Sequence, residues 1–84
     1  MSYAVKWNKK PLKYLEKLPK VISLRILEKL DKVTEDPFRY LEHYEGADVY
    51  KLRIGNYRML IDVDFTSKLL KIRVFDRRSR VYER

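Results

Sequence analysis

Basic side chains crowd into one short stretch of the chain, with a spacing that places three of them on one side of a strand pair. Lys51 and Arg53 stand two residues apart, and Arg58 follows after Gly55-Asn56. A Gly-Asn dipeptide between two apolar runs is typical of a two-residue β-hairpin. In such a hairpin Arg53 lies opposite Arg58, and Lys51 extends from the same face, because side chains alternate along a strand. Cations grouped in this way are suited to gripping phosphate oxygens.

The strands that hold this hairpin also define a core. We expect strands at Val49–Ile54, Tyr57–Asp64 and Leu69–Asp76, with a loop near Phe65–Lys68. One face then carries the predicted core residues Leu52, Met59, Ile61, Val63, Leu70, Ile72 and Val74. The opposite face carries Lys51, Arg53, Arg58, Leu60, Asp62, Lys71, Arg73 and Phe75, and Arg77 joins it if the third strand continues. The second face thus holds five cations and one carboxylate.

A sheet face with so many like charges has two interpretations. Directly opposed arginines cost stability, although long side chains tolerate the arrangement by splaying into water. Alternatively, the face is an anion site that contacts RNA phosphates, and its affinity falls steeply with salt. The second interpretation predicts the RNA-binding residues Lys51, Arg53, Arg58, Lys71, Arg73 and Arg77.

The net charge is concentrated in the same part of the chain. The 84 residues carry 20 Lys or Arg and 12 Asp or Glu, a formal net charge of +8. Residues 51–84 carry ten of those cations and four of the anions, which gives +6. A concentrated basic region is typical of proteins that meet a polyanion, such as nucleic acid or an acidic protein segment.

Composition excludes several classes of protein. The absence of cysteine excludes disulfides and zinc–thiolate sites. No apolar stretch approaches the roughly 20 residues of a membrane-spanning helix, and the N-terminus lacks the apolar core of a signal peptide. We therefore expect a cytoplasmic protein that does not bind membranes. There is no glutamine and there are two asparagines among many Lys and Glu, a bias seen in proteins of thermophiles.

The N-terminal half predicts a strand followed by two helices. Tyr3–Trp7 is the expected strand, and the second helix spans about Lys20–Thr34. That helix ends before Pro37, because the residue preceding a proline avoids the α region. Phe38–Asp48 is expected to be an irregular connection. Residues 1–84 are thus predicted to form a single α+β domain, an N-terminal strand and helical hairpin packed on an antiparallel sheet in the order β-α-α-β-β-β.

Four segments resemble RelE-type toxins of the RelE/ParE toxin–antitoxin superfamily. Val49–Leu60 is similar to the family's central hairpin, with its basic strand, its Gly-containing turn and its Tyr-Arg start to the next strand. Arg77–Tyr82 is similar to the Arg-rich C-terminal stretch that ends in Val-Tyr. Leu15–Pro19 resembles the Leu-x-x-Leu-Pro link between two helices, and Asp36-Pro37 resembles the pair that ends the second helix. The four segments occur in the family's order and cover nearly the whole chain.

The resemblance implies a specific activity and specific partners. Members are toxins of type II pairs that enter the ribosomal A site and cut the mRNA codon there. The 2′-hydroxyl attacks the adjacent phosphate, so the implied reaction needs no metal and no cofactor. The implied partners are the ribosome with its mRNA and a RelB-like antitoxin that neutralises the toxin in a hetero-oligomer.

The resemblance also assigns candidate catalytic residues. Lys51 and Arg53 match the family's two basic positions on the first hairpin strand, and Arg58 matches the Arg of the Tyr-Arg pair. Tyr82 matches the tail tyrosine, which would stack on a base or orient the 2′-hydroxyl. Lys51 is the implied base and Arg58 a phosphate-stabilising group. The complete implied catalytic set is Lys51, Arg53, Arg58, Arg77, Arg78 and Tyr82.

The tail arginine stays open between two neighbours. Counting back from Tyr82 selects Arg78, whereas alternation along the third strand places Arg77 on the basic face. Counting to the arginine used in the best-known relative lands on Asp76, which departs from the family pattern. Both arginines therefore remain candidates.

Two other functions fit the same sequence. One is a ParE-type toxin that poisons a topoisomerase and depends less on the basic face, and the other is a non-catalytic RNA- or ribosome-binding protein. His43, in the predicted connection, is interpreted as a surface or packing residue. Asp62 and Asp64 are not interpreted as a metal pair, because Asp62 faces Lys71 in the predicted register.

Overall fold

Helices cover one face of a five-stranded sheet in a computed structural model that describes residues 2–46 and 48–77. The elements in chain order are β1 (Ala4–Trp7), α1 (Lys9–Lys17), α2 (Lys20–Glu35), α3 (Pro37–Tyr40), β2 (Glu42–Glu45), β3 (Val49–Ile54), β4 (Tyr57–Asp64) and β5 (Leu69–Arg77). The predicted α+β class is confirmed. None of the described helices is long and apolar enough to cross a membrane.

The sheet is mixed, with strand order β1-β5-β4-β3-β2. Strand β1 runs parallel to β5, from Ala4 beside Leu69 to Trp7 beside Ile72, and the other neighbouring strands are antiparallel. A parallel pair needs a long crossover, and the intervening helices are part of it. The predicted hairpin between β3 and β4 is present, with Gly55 at φ +58°, a conformation that glycine adopts without steric cost.

The predicted irregular connection over Phe38–Asp48 is wrong. Its first part is the short helix α3, and β2 follows and pairs with the edge of β3, with Glu42 beside Lys51. The sequence of β2, Glu-His-Tyr-Glu, has little intrinsic strand preference. Pairing with β2 satisfies backbone groups that β3 would otherwise leave open at the sheet edge, so tertiary context decides the structure here.

Strand β5 contains a bulge that changes its register. The predicted pairs are present from Asp64 beside Leu69 through Ile61 beside Ile72. The pairing then shifts by one residue, and Arg73 is the extra residue on β5. Beyond the bulge the observed pairs are Leu60 with Val74, Met59 with Phe75, Arg58 with Asp76 and Tyr57 with Arg77.

Because of the bulge, Phe75 belongs to the core rather than to the basic face, and the predicted core position of Val74 is also wrong. Phe75 is buried, and its ring packs 4.9 Å from that of Tyr14 on α1, 5.8 Å from Tyr57 and 6.0 Å from Trp7, measured between centroids. The unbulged register would bury Val74 instead, so the gain of the bulge is the larger apolar area of Phe75 and its three ring contacts, each worth about 0.5–1.5 kcal/mol beyond area burial. A lost ladder hydrogen bond costs about 0.5–1.5 kcal/mol, so aromatic packing outweighs the cost of the bulge.

The hydrophobic core lies between the sheet and the two longer helices. Its buried apolar residues are Leu15, Ile26, Leu30, Val33, Leu41, Leu52, Ile54, Met59, Ile61, Val63, Leu70, Ile72 and Phe75. Since the helices occupy this side, the other face of the sheet is open to solvent over much of its area. That open face is where the basic residues of β3 and β4 stand.

Candidate nucleic-acid interface

The face of the sheet opposite the helices, here called the outer face, carries most of the predicted site. Its members are Lys6, Glu42, Lys51, Arg53, Arg58, Leu60, Asp62, Asp64, Lys71, Arg73, Val74 and Asp76. The structure therefore brings together five of the predicted cations, those at positions 51, 53, 58, 71 and 73. Their predicted sharing of one face is confirmed, whereas their contact with RNA stays a prediction.

Near the Gly55 end of the outer face is a row of three charged residues across three strands. Arg53 on β3 lies directly opposite Arg58 on β4, and Asp76 on β5 lies on the other side of Arg58. The guanidinium donates from Nε to Asp76 Oδ1 at 3.3 Å and from Nη2 to Oδ2 at 3.5 Å. The carboxylate offsets the repulsion between two facing arginines, which explains how the fold tolerates them.

Two more cations of the outer face have carboxylate partners. Lys51 Nζ lies 3.7 Å from Glu42 Oε1. Arg73 meets Asp62 through two contacts of 3.3 Å, Nε to Oδ2 and Nη1 to Oδ1. Within residues 2–46 and 48–77, Arg53 forms no ion pair.

The predicted balance of five cations and one carboxylate on this face is wrong. Glu42, Asp64 and Asp76 also face this side, so it carries four carboxylates among the described residues.

Sequence reasoning missed Glu42 and Asp76 for identifiable reasons. Glu42 lies in the segment predicted to be irregular, so no strand position was assigned to it. The signal for Asp76 was present: the adjacent apolar pair Val74-Phe75 breaks the alternation of β5, as a bulge does. The one-residue shift also replaces an unfavourable Arg58–Phe75 pair by Arg58–Asp76.

The outer face is electrostatically polarised along its strands. Toward the β4–β5 turn, Asp48, Asp62 and Asp64 line a shallow cavity of about 400 Å³ together with Lys71. The backbone amide of Ser67 donates to Asp64 at 3.0 Å and lowers the pKa of that carboxyl. The three carboxylates offset the charges of Lys71 and Arg73 at this end, so a polyanion is expected to bind more strongly at the Gly55 end, over Arg53 and Arg58.

The predicted position of Arg77 on the outer face is wrong. The bulge turns Arg77 to the helix side, where it pairs with Tyr57. There it lines a cleft of about 340 Å³ with Ile22 and Arg25 of α2. Arg78 and Tyr82, the other tail residues of the predicted catalytic set, lie outside the described residues.

The described part of the site is a cationic surface on which Arg53 has no carboxylate partner and carboxylates orient the side chains of Lys51 and Arg58. Arg53 is exposed and free to contact a phosphate. Arg58 and Lys51 are half-buried, and each lies against a carboxylate. Arginine donors directed at one point stabilise negative charge that develops on a phosphate during reaction. The sequence assigns Lys51 as a base but does not predict Glu42 as its neighbour.

Comparison with protein families gives a match over nearly the whole chain. The sequence model for the ParE toxin of the type II toxin–antitoxin system parDE matches residues 5–82. Comparison with curated proteins gives no significant match.

Several solved structures share the fold. The RelE–RelB complex from Pyrococcus horikoshii OT3 contains a chain with 33% identity and a TM-score of 0.82, covering 95% of this chain and 99% of that one. The RelBE2 toxin–antitoxin complex from Mycobacterium tuberculosis gives 25% identity and a TM-score of 0.82, with 93% and 100% covered. The isolated RelE toxin from E. coli, at 24% identity and a TM-score of 0.78 with 96% and 92% covered, shows likeness of fold.

Proposed function

The chain belongs to the RelE/ParE superfamily of type II toxin–antitoxin toxins, and on that premise we propose that it is a ribosome-dependent mRNA endoribonuclease of the cytoplasm. The observation that carries the proposal is the group of Lys51, Arg53 and Arg58 on the outer face, at the less acidic end of the sheet. Three cations grouped on one solvent-facing patch are the electrostatic footprint expected of a nucleic-acid-binding surface.

In the proposed reaction the 2′-oxygen of the mRNA attacks the adjacent phosphorus, and the bond from phosphorus to the 5′-oxygen breaks. A base takes the 2′-hydroxyl proton and the leaving 5′-oxygen takes a proton from solvent water, which gives a 2′,3′-cyclic phosphate and a 5′-hydroxyl. Lys51 serves as the base. Arg53 and Arg58 stabilise the added negative charge on the phosphate oxygens. The nucleophile belongs to the RNA, so no cofactor takes part.

The tail supplies the rest of the proposed site. Arg77 lies on the helix side, so we assign the role of the tail arginine to Arg78. Tyr82 is assigned to stacking on a base or orienting the 2′-hydroxyl. Arg77→Ala is therefore expected to retain cleavage where Arg78→Ala loses it.

Purified protein added to translating ribosomes tests this function directly. We expect cuts in the mRNA at the A-site codon, with 5′-hydroxyl and cyclic phosphate ends, and no cutting of the same mRNA without ribosomes. Salt-sensitive RNA binding without cleavage in any ribosome assay would contradict the enzymatic role and support a non-catalytic RNA-binding protein.

A second candidate function is favoured by two observations. The matching family model is that of the ParE toxin, and carboxylates offset Lys51, Arg58 and Arg73 on the outer face. A ParE-like protein would stabilise the DNA cleavage complex of a topoisomerase. Growth arrest with DNA damage and intact mRNA, together with topoisomerase-dependent DNA breaks in a purified assay, would favour this candidate over the ribonuclease.

We further propose that the partner is a RelB-like antitoxin that binds the apolar face of α2, defined by Val21, Leu24 and Leu27. Val21 is 70% exposed and Leu24 50% exposed, although both are large apolar residues. The matched chains from P. horikoshii and M. tuberculosis lie in toxin–antitoxin complexes. Since the chain carries a net charge of +8, electrostatic complementarity favours an acidic, amphipathic partner segment.

Leu24→Glu is expected to weaken antitoxin binding by about 10- to 100-fold, because it removes an apolar contact and places a charge in the interface. Its melting temperature should stay close to that of the wild type, since the side chain is half exposed. The measurement is calorimetric titration with the product of the adjacent reading frame. Phe65→Glu, at 44% exposure on the β4–β5 turn, is the matched control. Equal weakening by both variants would contradict binding at α2.

A further inference from the structure

A carboxylate stands at the centre of a surface proposed to hold phosphate. Asp76 lies beside Arg58, whose other cross-strand neighbour is Arg53. The side chains of Arg58 and Asp76 are 24% and 34% exposed, so the pair is partly shielded from water. Arg58 would attract a polyanion more strongly if Asp76 did not lie beside it. The position of Asp76 therefore calls for a reason other than net attraction.

The contact geometry supplies that reason. A guanidinium has five N–H donors along fixed directions. Asp76 accepts from Nε and from Nη2 of Arg58, on one edge of the group. Of the remaining hydrogens, one on Nη1 points toward Cδ, and the other Nη1 hydrogen lies with the second Nη2 hydrogen on the neighbouring edge. That edge matches two phosphate oxygens in a bidentate arrangement.

We propose that Asp76 is a positioning residue of the phosphate site, which holds Arg58 by one edge so that the other edge meets the phosphate. Asp76 itself touches neither RNA nor the reacting atoms. It also offsets the repulsion of Arg53, so that the two arginines stay close enough to bind one phosphate group. The positioning role deepens the proposed ribonuclease function, and it rests on that function only where mRNA cleavage is measured.

Asp62 provides a matched control for Asp76. It also holds an arginine of the outer face, Arg73, through two contacts of 3.3 Å, and the side chains are 48% and 37% exposed. Asp62→Asn and Asp76→Asn therefore make the same change of charge and shape in similar surroundings. Only Asp76 acts through Arg58, so only its substitution should affect the chemistry.

Single-turnover cleavage of mRNA on ribosomes is the first measurement. Asp76→Asn is expected to lower the maximal rate by about 10- to 100-fold, because Arg58 loses its fixed orientation. The toxin concentration at half-maximal rate should not rise, since the net positive charge of the face increases. Asp62→Asn can alter RNA affinity through Arg73, but its maximal rate should match that of the wild type, and Asp76→Glu should recover part of the rate. Wild-type cleavage by Asp76→Asn, or equal losses in both asparagine variants, would overturn the inference.

Arginine side-chain NMR separates this inference from the proposed function. The probe is an RNA oligonucleotide with 2′-O-methyl groups, which cannot be cleaved by 2′-hydroxyl attack. We expect it to shift the Arg58 Nη signals of the wild type and of Asp62→Asn but not those of Asp76→Asn. If the wild type shows these shifts but does not cleave mRNA, the ribonuclease proposal fails and the positioning role stands. The positioning role would be overturned if RNA does not shift the Arg58 Nη signals of the wild type, or if it shifts them equally in Asp76→Asn.

Discussion

Lys51→Ala combined with Arg58→Ala is expected to reduce ribosomal mRNA cleavage by at least about 1000-fold. Each of these cations faces the proposed phosphate position, and removing one charge-stabilising donor from an active site costs about 100- to 1000-fold in rate. The substitutions also release Glu42 and Asp76, which lie 3.7 Å and 3.3 Å from the two cations and would then repel the phosphate. The measurement is single-turnover cleavage at one fixed salt concentration.

A double variant on the helix side controls for net charge. Lys13→Ala with Lys32→Ala removes the same two charges from exposed positions of α1 and α2. Its cleavage rate should remain within about threefold of the wild type, because surface charges far from the site act mainly on association. Full cleavage by the Lys51 and Arg58 variant would contradict the proposed site.

The second large effect concerns stability. Phe75→Ala is expected to lower the free energy of unfolding by about 3–5 kcal/mol, the usual cost of removing a buried aromatic ring. The ring contacts Tyr14, Tyr57 and Trp7, so its loss opens a cavity between α1 and the sheet. A domain of this size has about 5–15 kcal/mol in all. Urea denaturation followed by circular dichroism measures the change.

Val74→Ala distinguishes the observed register from the simple alternation. In the structure Val74 is a half-buried residue of the outer face, opposite Leu60. Its truncation should cost less than about 1.5 kcal/mol, well below that of Phe75. In the unbulged register the two residues exchange places, and the order of the two effects would be reversed. A larger loss for Val74→Ala would thus show that the bulge is absent.

Those parts of the fold that depend on local signals were predictable from the sequence. The Gly55-Asn56 turn fixes the pairing of β3 with β4 by itself, so Arg53 opposite Arg58 followed without knowledge of the rest. The bounds of α2 followed from its apolar period and from Pro37. In both cases neighbouring residues supply the decisive interactions.

Features decided by distant contacts were not predictable in the same way. The bulge in β5 depends on packing of Phe75 against Tyr14, about sixty residues earlier in the chain, and simple alternation contains no information about that contact. Strand β2 depends on the free edge of β3 rather than on its own composition. Two of the unpredicted carboxylates of the outer face, Glu42 and Asp76, lie on these two elements.

The bulge at Arg73 also decides how many charges the outer face carries. Because Arg73 is the extra residue on β5, deleting its codon would give regular pairing while Val74 still faces Leu60, Phe75 still faces Met59 and Asp76 still faces Arg58. The deletion would leave the core register unchanged, remove one cation from the outer face and take away the ion-pair partner of Asp62. A one-residue insertion at a bulge is therefore a way to add a charge to one face of a sheet without moving Phe75 out of the core.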